Sequence, residues 1–151
     1  MHGAREFLKF TGKGERKVAA VFGISPERCD AAVRHVRRGA PDVPVWLFSS
    51  REPWPDTAAL CERVSVEPDS MELLVSAQKA LWPRWVALSV GAWTGERGKW
   101  PLKLAPLLVP PFRALLMNRA GDFFPATPSS VLRHCSRNFR DAAHSGWNRL
   151  R

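Results

Sequence analysis

No stretch of the sequence stays apolar for the about 18 residues that a bilayer-spanning helix needs. The longest candidate, residues 100–112, is shorter and contains Lys103 and four prolines. The opening residues, MHGAREFLKF, lack the apolar centre of a signal peptide. These two absences lead to the expectation of a cytoplasmic protein. Cysteine is scarce: Cys29, Cys61 and Cys135 are odd in number, far apart and without a CxxC pair. That pattern excludes a disulfide framework and points to buried, reduced thiols. His2, His35, His134 and His144 lack HxxxH or HxxxE spacing with a supporting partner, so neither a metal nor a cofactor is expected. Tyrosine is absent, and seven tryptophans stand in its place.

Sharp motifs are missing too. The first apolar run is not followed by G-x-G-x-x-G, which excludes the dinucleotide fingerprint. No G-x-x-x-x-G-K-[ST] cradle and no G-x-S-x-G elbow occur. A phosphoryl-accepting receiver domain needs acidic groups at its first strand exit, where this chain has Gly23-Ile24-Ser25.

Acidic residues are outnumbered, 14 against 23 basic ones, for a net charge of +9. That excess favours an anionic partner: nucleic acid, acidic lipid headgroups or a phosphorylated ligand. Much of it is arginine, which also serves simply to solubilise a surface.

The residues that are present alternate between two patterns. Apolar runs at 17–25, 43–50, 64–67, 85–93 and 113–118 read as strands. Between them lie helix signals. Ser25-Pro26 opens a helix that ends at Gly39, with Cys29, Ala32, Val33 and Val36 on one face. Residues 55–63 form a short helix. Asp69 caps a helix that carries Met71, Leu74, Val75 and Leu81-Trp82 inward and stops at Pro83. Residues 100–109, interrupted by proline, predict a short, broken helix. Thr127-Pro128 opens a long last helix reaching almost to Arg151. Trp46, Trp85 and Trp82 read as core.

Uniformly apolar strands are covered on both faces. The expectation is therefore an α/β, three-layer, doubly wound domain (Rossmann-like or flavodoxin-like) over residues 17–151. It has about five parallel strands in the order 3-2-1-4-5. Residues 1–16 read as a flexible basic leader with Arg5, Lys9, Lys13 and Arg16.

In such a sheet, ligands bind outside the carboxyl ends of the strands, where strand order reverses. The exits supply Ser25, Ser50, Thr94, Glu96, Arg97, Asn118, Arg119 and Asp122 as candidate ligand-binding residues. A phosphate can rest on the helix start at Ser25, with Arg97, Lys99 and Arg119 as counter-charge. The competing reading of each exit is an ordinary turn whose polar groups satisfy one another. On the last helix, Val131, Leu132, Cys135, Phe139 and Ala142 make an apolar face. Arg133, Arg137, Arg140 and Arg151 make a basic strip, suited to an anionic surface or merely solvated.

The segment LLMNRAGDFFPATP, followed by RDAAHSGWNR, resembles a stretch of bacterial glycosyltransferase-associated chains with a Rossmann-like half. The resemblance runs from Lys17 to Arg151 in outline and is most specific in residues 113–151. It implies cell-envelope or polysaccharide glycosylation with an activated sugar, and hence a nucleotide-sugar or phosphate-bearing glycan as ligand. The chain departs from that pattern in having one domain and no D-x-D motif, so it reads as an accessory or binding module. The alternative partners are an anionic membrane surface contacted peripherally at the inner membrane, RNA, or an acidic protein, each through the last helix; a partner domain or subunit would complete the site.

Overall fold

A computed structural model describes residues 17–92, 99–109, 113–127 and 129–130. The expected leader, most of the 94–99 loop and nearly all of the expected last helix lie outside the described residues. The fold is α/β. Its elements are β1 (Lys17–Gly23), α1 (Pro26–Gly39), β2 (Val45–Ser49), α2 (Pro55–Ala59), β3 (Arg63–Val66), α3 (Ser70–Leu81), β4 (Trp85–Ala92), α4 (Trp100–Leu108), β5 (Ala114–Met117) and β6 (Phe123–Pro125). They build a six-stranded sheet in the order β3-β2-β1-β4-β5-β6. The first five strands are parallel, in the expected order, and β6 is antiparallel to β5.

The central strand explains the layering. β1 is buried from Val18 onward, and its successive side chains point to opposite faces. Val18, Ala20 and Phe22 pack with Trp46, Phe48, Leu73, Ala77 and Leu102, beneath α3 and α4. Ala19 and Val21 pack with Cys29, Val33, Val36, Val45 and Val90, beneath α1. The rings of Phe22 and Phe48 stack with centroids 5.3 Å apart. Each large apolar side chain buried here contributes roughly 1.5–3 kcal/mol. Gly23 ends β1 because α1 passes so close that an added Cβ would collide with the Cys29 sulfur.

Capping follows the sequence signals in part. The Asp69 carboxylate accepts hydrogen bonds from the backbone N–H groups of Met71 (2.8 Å) and Glu72 (2.9 Å). These bonds hold its pKa below the usual carboxylate value. Ser25 precedes α1 in an extended conformation but makes no side-chain cap.

Four expectations are corrected. On α3 the inward stripe is Leu73, Ala77 and Leu81, with Leu74 partly buried, whereas Met71, Val75 and Trp82 are exposed. Two apolar stripes run along this helix, and the narrower one, with small Ala77 at its centre, packs under Phe48. Trp82 is thus not core, while Trp46 is, with the Arg63 and Arg84 guanidiniums over its ring. The second helix stops at Ala59. The segment between the fifth expected strand and Thr127 holds a sixth strand. It is a hairpin, with Gly121 at φ 92° and Phe123–Pro125 as an edge strand. Three residues are too few to show strand periodicity.

The fourth correction concerns α4, which runs through Pro106 instead of breaking. The carbonyl of Pro106 would normally accept from residue 110, but that residue is also proline and has no N–H. The buried Ser89 hydroxyl supplies the missing donor at 2.7 Å. An added Cβ at Gly91, two residues on, would strike the Pro106 ring, so α4 lies directly on β4.

Replacing Ser89 with alanine strands that carbonyl. The Ser89→Ala variant is expected to lose about 1–3 kcal/mol, measured by urea denaturation. An unchanged midpoint would show that α4 does not need this donor.

Candidate functional site

The parallel strands all end on one side of the sheet, and strand order reverses between β1 and β4. On leaving β1 and β2 the chain is drawn together. Ser50 N–H donates to the Gly23 carbonyl at 3.3 Å, and the Ser50 hydroxyl to the Ile24 carbonyl at 3.4 Å. Ser50 is buried, so its hydroxyl closes the base of the exits and does not face outward. The Ser49 hydroxyl donates to the Arg51 carbonyl at 2.6 Å and accepts from the Cys29 thiol at 3.5 Å. Ser25 is half-buried at the start of α1, with its hydroxyl unused for capping.

The β5–β6 hairpin forms the other wall. Asn118 N–H donates to the Asp122 carbonyl (2.9 Å), and Asp122 N–H to Asn118 Oδ1 (2.9 Å). Asn118 Nδ2 reaches Asp122 Oδ2 at 3.1 Å. These two side chains therefore hold the turn, while the exposed Arg119 side chain projects at its tip. Thr94, Glu96 and Arg97 lie outside the described residues, as do Arg133, Arg137, Arg140 and Arg151.

Arg28 joins the two walls, and sequence reasoning missed it. Its Nη2 donates to the Arg119 carbonyl at 2.7 Å, and its guanidinium lies beside Gly121. Helical periodicity assigns Arg28 to the solvent face of α1. Only the return of the chain 91 residues later brings the hairpin next to it. Lys99, another expected counter-charge, instead donates to the Pro68 carbonyl at 2.8 Å. Glu27 also lies in the first turn of α1 and opposes an anion there.

Comparison of the chain with protein-family models, curated proteins and solved structures finds no match.

Burial pushes the Cys29 thiol up to about 11, against a smaller lowering by the Ser49 hydrogen bond. Burial also raises Cys61 to about 11. Neither is a thiolate nucleophile at neutral pH. Among the described residues, no three His, Cys, Asp or Glu side chains lie close enough to hold a metal ion. A concavity of about 610 Å³ lies away from the exits, along α3 and Arg63 of edge strand β3.

A raised thiol pKa stabilises the fold below the unfolded value, near 8.5–9, and this contribution disappears as pH rises through about 11. A Cys29→Ala variant should therefore show a shallower loss of stability between about pH 9 and 11 in urea titrations. Equal slopes for wild type and variant would mean that Cys29 is not protected by burial.

Proposed function

We propose that the chain is a Rossmann-like binding module, related to bacterial glycosyltransferases. In this reading it holds a nucleotide-sugar or similar phosphate-bearing glycan at the strand exits. The observation that carries this reading is the bridge from Arg28 to the β5–β6 hairpin, beside the reversal of strand order between β1 and β4. A crevice at such a reversal is where open parallel sheets bind ligands. The bridge holds the Arg28 guanidinium against the Arg119 backbone, and the Arg119 side chain is exposed beside it. Guanidinium donors match phosphate oxygens in paired geometry. The uncapped start of α1 adds backbone N–H groups and the Ser25 hydroxyl. The sugar and the glycosyltransferase relation come from the resemblance of residues 113–151. The missing D-x-D motif supports binding over independent transfer.

Calorimetric titration with nucleotide-sugars and with inorganic pyrophosphate tests the proposal. Wild type should bind saturably, and Arg28→Ala and Arg119→Ala should each weaken binding about tenfold, the loss of one charge-assisted contact. Arg119 is exposed, so its variant should melt like wild type. Unchanged affinity in both variants removes the site. Salt-sensitive binding to RNA or anionic vesicles, abolished by charge reversal at Arg133, Arg137 and Arg140, would move the function to residues 131–151.

A further inference from the structure

α3 and α4 both connect parallel strands, so they run in the same direction along one face of the sheet. They touch, and Gln78 Nε2 donates to the Leu108 carbonyl at 3.4 Å. Each buries one stripe against the sheet and leaves a second apolar stripe in water. On α3 this is Met71, Val75 and Trp82. On α4 it is Trp100, Leu104 and Leu108, four residues apart. Trp82 is 71% exposed and Trp100 60%. Together the six side chains present roughly 600 Å² of apolar surface. That is at the upper limit for a lone soluble domain and most of the about 800 Å² per partner in a standard interface. The sheet cannot use this surface, because its own face is already covered.

Beside the α3 stripe lies the groove of about 610 Å³, lined by Arg63, Met71, Glu72, Val75, Ser76 and Lys79. The groove thus runs along α3 from Met71 to Ala80, and the exposed Trp82 indole stands at the C-terminal end of the same helix. We propose that the chain forms a two-fold dimer in which α3 packs antiparallel against α3 of a second copy, each Trp82 entering the groove of the other protomer.

Three features favour a second copy over other occupants. An antiparallel two-fold about the middle of α3 places Trp82 opposite Met71, so a bulky side chain meets a slender, adaptable one twice. The same operation brings Glu72 within a turn of the other protomer's Lys79. Both are exposed and opposite in charge. An anionic membrane would instead favour a uniformly basic rim, which Glu72 interrupts. An anchoring tryptophan in a groove is also the side chain that most often dominates an interface.

Sedimentation equilibrium of the full chain, from about 1 to 100 µM, tests the dimer in the range where weak interfaces of this size dissociate. The expected mass is twice 16.9 kDa, with concentration-dependent dissociation. Trp82→Ser should raise the dissociation constant at least tenfold while preserving circular dichroism and Tm, since the side chain is exposed. Glu72→Lys and Lys79→Glu should each weaken the dimer, and the two together should restore it. A monomer at about 100 µM, including one that sediments with anionic vesicles, overturns the proposal. A dimer indifferent to Trp82→Ser and to both charge reversals overturns it equally.

Discussion

The double burial of β1 is the constraint on which the rest of the structure depends. A strand with Val18, Ala20 and Phe22 on one face and Ala19 and Val21 on the other needs cover on both. Helices must therefore lie above and below it, and right-handed crossovers then fix which helix covers which face. The closeness of that cover is set by two glycines. Gly23 admits the Cys29 sulfur and Gly91 admits the Pro106 ring. Bare backbone at these points lets α1 and α4 approach the sheet, and both glycines lie near the ends of strands that flank the order reversal. Fold and candidate site share the same close contacts.

Polar groups are few within this core, and four of the buried ones, Ser49, Ser50, Thr57 and Ser89, have structural tasks. Ser89 completes a helix that proline leaves short of donors. Thr57 donates to Asp30 at 2.7 Å, while Asp30 also accepts from Arg34 at 2.8 Å, so the short α2 is tied to α1. Ser49 and Ser50 join the first two strand exits. A five-residue helix such as α2 has too few intrahelical bonds to be stable alone, and such cross-links substitute for length.

Much of the fold was legible in the sequence. Five apolar runs, the Ser25-Pro26 start, Gly39 and the Asp69 cap gave the alternation and the strand order. What failed did so for physical reasons. α3 carries two apolar stripes, and composition cannot say which one meets the sheet; in the structure Leu73, Ala77 and Leu81 join the core. β6 is too short to show a period, and its pairing depends on a turn whose Gly121 adopts positive φ. At the candidate site, Asn118 and Asp122 are each expected as ligand-binding residues, with an ordinary turn as the competing reading; in the structure they bond to each other. Arg28 was invisible because its partner, the Arg119 carbonyl, is distant in sequence. Local patterns reveal elements; they do not reveal which loops meet.

The two proposed surfaces are compatible because they face different directions. The strand exits open along the strand axes, whereas the α3–α4 stripe faces away from the sheet. An antiparallel pairing of α3 would set the two crevices at opposite ends of the dimer, each open to its own ligand. A parallel pairing would bring both crevices, and their arginines, to the same end. With a net charge of +9 per chain, that arrangement concentrates like charge, which association must overcome. Electrostatics therefore favours the same antiparallel geometry that size matching of Trp82 with Met71 selects independently.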